Sequence, residues 1–332
     1  MSNKKIGVNG FGRIGRYFTR LAIMDPGVDV TLVNDLSDIQ TLMHLFKFDS
    51  IHGRFDLDFE IQDNQVIFSN GKKLFFSQEK NPQSIPWSKY GTDTVVECTG
   101  LFLNKESASM HFEGGAKRVV LSAPAKDSEI KTIVLGINEG SVSQEDKILS
   151  NASCTTNNVA PLLKVLMPLV NIEQAHISTI HSYTSDQRLH DSPHRDLRRA
   201  RSAGHSIIPT TTGAAKAIIK IFPGLQGKID GGAIRVPVSA GSMTEITLIV
   251  SENISIDRIT GMMKEASSTD LKGILEVNSE PIVSVDVIGS SASTIYDASL
   301  SVVYDRMIRI VSWYDNESGY SNRLLELAKH VS

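Results

Sequence analysis

Cys154 lies in the run Leu149-Ser150-Asn151-Ala152-Ser153-Cys154-Thr155-Thr156-Asn157-Asn158, among hydroxyl and amide side chains. An apolar helical pattern follows at Val159, Leu162, Leu163, Leu166 and Leu169. The cysteine therefore stands at a helix N-terminus, where backbone dipoles and free amides stabilise a thiolate and lower its pKa. Pro161 fits this helix on the expectation that it falls near the first turn. The competing reading is a buried, inert thiol, which predicts apolar flanks; these are polar. A nucleophile needs a base. The stretch from Ala175 to Thr184 alternates as a strand and carries His176 and His181, of which His181, at the strand's end, is the better candidate. An ordinary structural hydrogen bond is the alternative for that histidine, and spacing does not show that it reaches Cys154.

Anion chemistry is the second theme. The segment from Asp186 to His205 holds Arg188, Arg195, Arg198, Arg199 and Arg201. Anion clamps use one or two arginines, so a solvated surface or a subunit contact accounts for most of these five. Pro209-Thr210-Thr211-Thr212-Gly213-Ala214-Ala215-Lys216 has the composition of a phosphate cradle leading into a helix, or of a plain threonine N-cap.

The elements that must position these groups begin at the N-terminus. Lys4 to Val8 is a short apolar strand that breaks at Asn9-Gly10-Phe11-Gly12-Arg13-Ile14-Gly15, after which Tyr17, Leu21 and Met24 continue at helical spacing. Gly10, Gly12 and Gly15 have the spacing of a dinucleotide turn, which a simple tight turn also permits. A second strand, Val30 to Val33, ends at Asp35, about 20 residues on, where an acid accepts hydrogen bonds from ribose hydroxyls and repels the extra phosphate of NADP. Further strands at Thr94 to Cys98, Arg118 to Leu121, Ile133 to Leu135 and Ile148 to Leu149, with a helix at Glu106 to Glu113, predict a doubly wound, largely parallel sheet. The remainder reads as an α+β lobe with a mostly antiparallel sheet, including Ser242 to Val250 and Met307 to Trp313, and a helix around Ile256 to Ala266. Cys98, inside an apolar strand, is assigned no chemistry.

Bulk properties narrow the classes. With 332 residues the chain is expected to form two domains sharing a cleft. A formal charge of −3 argues against a surface built for nucleic acid, and no apolar run approaches membrane-spanning length. Two cysteines and a start without a signal-peptide core predict a reduced, cytoplasmic protein.

Seven motifs together are similar to one family. They are Asn9-Gly10-Phe11-Gly12-Arg13-Ile14-Gly15-Arg16, Glu97-Cys98-Thr99-Gly100, Ser122-Ala123-Pro124-Ala125, Ser150 to Asn157, His181-Ser182-Tyr183-Thr184, Asp196-Leu197-Arg198-Arg199-Ala200-Arg201 and Trp313-Tyr314-Asp315-Asn316-Glu317. From end to end the chain resembles phosphorylating glyceraldehyde-3-phosphate dehydrogenases. The resemblance implies a Rossmann-type NAD-binding domain over 1–152, completed by a C-terminal helix at 317–332, and a catalytic domain over 153–316. It implies NAD contacts from Gly10, Gly12, Arg13, Ile14, Gly15, Asp35, Lys80, Ser122 and Asn316. It implies Cys154 as nucleophile and His181 as base, with Thr184 and Arg235 on the substrate phosphate. Ser153, Thr155, Arg199, Thr212 and Gly213 would surround inorganic phosphate or substrate. The arginine-rich segment resembles the family's S-shaped loop, which implies a homotetramer, and Asp191-Ser192-Pro193-His194 resembles NAD-preferring members.

The implied reaction is NAD-dependent oxidative phosphorylation of glyceraldehyde 3-phosphate through a covalent thioester on Cys154, with no metal, no membrane and no dedicated nucleic-acid site. Departures are few: Lys80 stands where an arginine is usual, Asn158 where many members carry a second cysteine, and Met243-Thr244-Glu245-Ile246 replaces a more usual Val-Val-Asp-Leu type of segment. Two rivals stand beside this reading, an erythrose-4-phosphate dehydrogenase and a nucleic-acid or partner-binding role for the arginine-rich loop.

Overall fold

The computed structural model describes residues 3–332 and divides into two compact units. Among the described residues the first comprises 3–133, 138–152 and 321–332; the second comprises 134–137 and 153–320.

The first unit is built on a nine-stranded sheet in the order Lys131–Thr132, Ile148–Ser150, Arg118–Leu121, Thr94–Glu97, Lys4–Asn9, Val28–Asn34, Lys73–Ser77, Gln65–Phe68, Phe59–Gln62. All neighbours are parallel as far as Lys73–Ser77, and the last two strands add as an antiparallel edge. The central strands are continuous apolar runs, Ile6 and Val8, Leu32 and Val33, Val95 and Val96, Val119 and Val120, all fully buried. Such runs are what a sheet covered on both faces requires. The C-terminal helix, Ser318–Val331, ends on this unit: Lys329 Nζ meets Asp25 Oδ2 at 2.5 Å, and Arg118 and Lys4 bond the terminal carbonyls of Val331 and Ser332.

Ile133 to Leu135 is not a strand, contrary to its composition. The strand there is Lys131–Thr132; Ile133 makes one more bond, to the Ser150 carbonyl at 2.8 Å. The chain then passes into the second unit and turns at Gly136, whose φ of 80° is left-handed. These apolar residues are buried, but as a crossing segment rather than as a ladder.

The second unit has an eight-stranded mixed sheet with Ile172–Ser182 near its middle. That strand runs antiparallel to Ser242–Val250 and parallel to Ile229–Val236, a strand that glycine-rich sequence had concealed. Against the sheet pack the helices Cys154–Leu166, Ala214–Ile221 and Ile256–Ser268. Pro161 is the eighth residue of its helix, not part of the first turn. It removes one ladder bond at a cost of about 3 kcal/mol, which burial on every side offsets, since Val159, Ala160, Leu162 and Leu163 are all fully buried.

The glycine turn shows two different demands. A Cβ on Gly15 would lie 2.1 Å from the Gly10 carbonyl oxygen, whereas one on Gly12 meets nothing within 4 Å. Gly15→Ala should therefore destabilise the protein by about 1–3 kcal/mol in urea unfolding, while Gly12→Ala should leave its stability within roughly 0.5 kcal/mol of wild type. Equal losses in the two variants would contradict this steric account.

Candidate active site

The helix that begins at Cys154 is capped by Ser153, whose hydroxyl accepts from the Thr156 amide at 3.1 Å. Ala152, just before it, has φ 57°, a left-handed conformation that costs a non-glycine residue about 1–2 kcal/mol. His181 sits near the carboxyl end of the strand Ile172–Ser182. The two meet: Cys154 Sγ lies 3.3 Å from His181 Nε2.

The other imidazole nitrogen has two neighbours that call for opposite tautomers. Nδ1 is 2.7 Å from the Ser182 carbonyl oxygen and 2.8 Å from Arg235 Nη1. The carbonyl only accepts, so it requires a proton on Nδ1; Arg235 Nη1 satisfies itself on the same oxygen at 2.9 Å. We assign the proton to Nδ1, which leaves the Nε2 lone pair facing the thiol.

Electrostatics corrects the expectation of a lowered thiol pKa. Burial pushes the Cys154 thiol up, opposed by the Arg235 charge and by hydrogen bonds from Thr155. Burial, reinforced by the charges of Arg235 and Arg199, pulls His181 down to about 3. The cysteine as a whole keeps part of its surface open, so substrate has access, but protein atoms crowd the sulfur itself and desolvation sets the direction. Both shifts favour the uncharged forms, a thiol beside a neutral imidazole, which sets His181 to take the thiol proton as the sulfur attacks.

Tyr314, which local sequence did not single out, supports both partners. Its hydroxyl bonds Thr155 Oγ1 and Thr179 Oγ1 at 3.0 Å each, and its ring stands edge-on to His181 with centroids 6.0 Å apart. Thr155 is thus already engaged within the protein. Asp186 was missed as well: it binds Arg199 Nη1 at 2.5 Å, while Arg199 Nε bonds Thr210 Oγ1 at 3.0 Å and Nη2 bonds the Thr211 carbonyl at 3.2 Å. Of the five arginines in that loop, Arg199 alone acts on His181; Arg201 pairs with exposed Asp191. Arg235 Nε is buried without a hydrogen-bond partner among the described residues. Thr212 Oγ1 accepts from the Ala214 amide at 3.2 Å and Gly213 is the N-cap of Ala214–Ile221. Thr184 is half-buried beyond the strand end, its amide 3.3 Å from Gln187 Oε1. Asn316 Oδ1 accepts from Ser182 and Ser242 hydroxyls at 2.8 and 3.2 Å, which fixes its amide orientation.

The first unit gathers the nucleotide-type residues at the carboxyl edge of its parallel strands. Gly10 has φ 92°, and Gly12 caps the helix Arg13–Met24, whose first turn carries no acid and which begins with Ile14 behind Arg13. Asp35 Oδ2 accepts from the Phe11 amide at 2.8 Å and Oδ1 from Ser37 at 3.0 Å, tying the glycine turn to the second strand end. Arg13 pairs with Asp49 at 2.6 Å. Lys80 is exposed, and Ser122, beyond the strand Arg118–Leu121, bonds Cys98. Burial drives the Cys98 thiol up to about 12, out of reach of nucleophilic use. The open space over Gly12, the acid-free helix start and Asp35 fit a dinucleotide: diphosphate on the helix amides, ribose on the carboxylate. Among the described residues no cluster of His, Cys, Asp and Glu is arranged to hold a metal, and no helix is long and apolar enough to cross a membrane.

The depressed His181 has a consequence for stability. An unfolded chain takes up this proton near pH 6.5, whereas the native protein refuses it until about pH 3. The unfolded state then binds more protons, so stability contributed by neutral His181 is full above pH 6.5 and is lost as the pH falls toward 3. Urea unfolding between pH 7 and 4 should show a smaller loss for His181→Asn than for wild type; identical slopes would contradict the buried neutral imidazole.

Two family models match the chain: "Glyceraldehyde 3-phosphate dehydrogenase, NAD binding domain" over residues 4–105 and "Glyceraldehyde 3-phosphate dehydrogenase, C-terminal domain" over residues 153–316. Curated relatives with the same name include those of Geobacillus stearothermophilus, 46% identical over 99% of this chain and 98% of the relative, and Mycobacterium bovis, 48% identical over 98% of each. A Bacillus subtilis relative is 45% identical over 99% of this chain and 98% of its own length. Nucleotide edge, thiol–imidazole pair and near-complete coverage converge: the chain belongs to the glyceraldehyde 3-phosphate dehydrogenase family and is an NAD-dependent oxidoreductase.

Proposed function

We propose that this protein oxidises glyceraldehyde 3-phosphate and captures the acyl group on inorganic phosphate, giving 1,3-bisphosphoglycerate, as a glycolytic and gluconeogenic enzyme. The observation that carries the reading is the 3.3 Å contact between Cys154 Sγ and His181 Nε2 beside the unsatisfied Arg235 Nε. A thiol next to its base is a nucleophile for an aldehyde. A buried guanidinium with a spare donor calls for an anion, and the phosphate of the substrate supplies one.

His181 Nε2 takes the thiol proton as Sγ attacks the aldehyde carbon, and returns it to the oxygen, giving a hemithioacetal on Cys154. NAD supplies the acceptor for the hydride that this carbon must lose. His181 removes the hydroxyl proton as the hydride departs, which leaves a thioester and an imidazolium. Phosphate then attacks the thioester carbon; the thiolate leaves, recovers the proton from His181, and the neutral pair is restored. Arg235 and Thr184 hold the substrate phosphate on this reading. Arg199, oriented by Asp186, serves inorganic phosphate with Ser153, Thr155, Thr212 and Gly213, the Ser153 and Thr155 hydroxyls at the helix start acting chiefly to order Cys154. Gly10, Gly12, Arg13, Ile14, Gly15, Asp35, Lys80, Ser122 and Asn316 hold NAD. The domain division follows the same reading: 1–152 with the helix 317–332 for NAD, 153–316 for catalysis. Leu189, Leu197 and Ile207, each at least 70% exposed around the arginine-rich loop, support its burial by neighbouring copies in a cytoplasmic homotetramer.

Cys154→Ser should abolish acyl-enzyme trapping and lower kcat by on the order of 10⁴ or more; a normal trapped thioester would refute the nucleophile. His181→Asn should lower kcat by about 10²–10⁴. In parallel assays with NAD and phosphate, the three-carbon aldehyde should turn over faster than erythrose 4-phosphate, and the reverse order would replace the substrate.

A further inference from the structure

Ser77, Asn34, Asn9 and Glu97 stand level across four neighbouring parallel strands, since Ser77 is in register with Asn34, Asn34 with Asn9, and Asn9 with Glu97. Their side chains form one continuous chain. Ser77 Oγ donates to Asn34 Oδ1 at 2.9 Å, Asn34 Nδ2 to Asn9 Oδ1 at 2.9 Å, and Asn9 Nδ2 to Glu97 Oε2 at 2.6 Å. The row continues off the sheet. Trp87 Nε1 donates to His111 Nδ1 at 3.1 Å; an indole only donates, so the imidazole proton is on Nε2, which donates to Glu97 Oε2 at 3.1 Å. Glu97 Oε1 meanwhile accepts from the Thr99 amide at 2.7 Å and from the Thr99 hydroxyl. Glu97 and His111 are wholly buried, and Asn9 and Asn34 nearly so.

A hydrophobic row at this depth would stabilise the sheet at least as well, because a buried carboxylate gives up its hydration. What the polar row adds is direction. Glu97 is an acceptor on both oxygens, and this fixes which way each amide of the row points. Each strand end of the row leads into the nucleotide edge: Gly10 follows Asn9, Asp35 follows Asn34, Thr99 and Gly100 follow Glu97. Asn34 also bonds the Glu79 amide at 2.8 Å and its carbonyl at 2.9 Å, immediately before Lys80. We propose that Glu97 is a positioning residue for NAD, holding the Gly10 turn, Asp35, the Lys80 segment and Thr99-Gly100 in one fixed relation through this row. The inference rests on the reading that NAD occupies this edge of the sheet.

Replacing either Glu97 oxygen by an amide group sets a donor against donors. On the Oε2 side Asn9 can answer only by turning its oxygen toward residue 97, which puts its amide against that of Asn34 and passes the reversal along the row to Glu79; on the Oε1 side the new amide opposes the Thr99 amide and loosens Thr99-Gly100 instead. Calorimetric titration of the apoprotein with NAD should show at least a tenfold higher Kd for Glu97→Gln, with an unchanged rate of Cys154 alkylation by iodoacetamide. Adding Asn9→Asp to Glu97→Gln restores an acceptor on the Asn9 side of the new amide, while His111 Nε2–H stays opposed to it, and should recover part of the affinity. Should Glu97→Gln not fold, Ser77→Ala removes only the far bond of the row and should raise the Kd about threefold. A Kd within twofold of wild type in folded Glu97→Gln, failure of the double variant to recover affinity, or no change in Ser77→Ala overturns the proposal. If the wild-type apoprotein takes up no NAD, the reading beneath it falls first and this inference with it.

Discussion

The 3.3 Å contact between Cys154 Sγ and His181 Nε2 joins the start of a helix to the end of the strand that follows it, two residues 27 positions apart in the chain. Neither group could do its work alone. A thiol that burial holds protonated needs a base at contact distance, and an imidazole that burial and Arg235 hold neutral has its lone pair available. Desolvation, which opposes a standing ion pair, is thus the reason the pair is arranged as acid and base. The surrounding structure keeps that geometry fixed: the Ser153 cap, the left-handed Ala152, and the Tyr314 hydroxyl bridging Thr155 to Thr179.

Arg235 and Arg199 give the second constraint. They act on His181 with the same sign and lower its proton affinity. An anion placed against them would weaken that effect, so charge on the substrate and basicity of the imidazole are coupled by Coulomb interaction through a poorly hydrated site. Asp186, despite the burial that opposes it, and Asp196 are both held below the ordinary carboxylate range by their hydrogen bonds and by Arg199, and they neutralise part of the cluster on its outer side. Arg235 has no carboxylate partner among the hydrogen bonds and ion pairs described for it, which leaves its charge for a ligand.

The sheet of the first unit was legible because its signals are local. Apolar runs such as the strand Thr94–Glu97, with Val95 and Val96 buried, and the glycines at 10, 12 and 15 report backbone requirements that neighbours in sequence already impose. The parallel partner strand Ile229–Val236 was hidden, because Gly231 and Gly232 lower strand propensity while a Cβ at 231 would meet the Ile177 carbonyl at 2.7 Å. Pro161 and Ile133 to Leu135 misled for the same reason: local propensity was overruled by tertiary burial in one case and by a crossing of the chain in the other.

By itself the sequence determined the kinds of group available: a cysteine with polar flanks at a helix start, a histidine at a strand end, a dinucleotide-type glycine turn with Asp35, and arginines in excess of any single anion. Those are properties of residue type and short-range spacing. The tertiary structure decided which of them meet. It chose His181 over His176, set Arg235 and Arg199 on the imidazole, engaged Thr155 with Tyr314, and reversed the expected direction of the thiol pKa. Proton affinity depends on how much water and how many charges lie within a few ångströms, and those neighbours are brought together by the fold from distant parts of the chain.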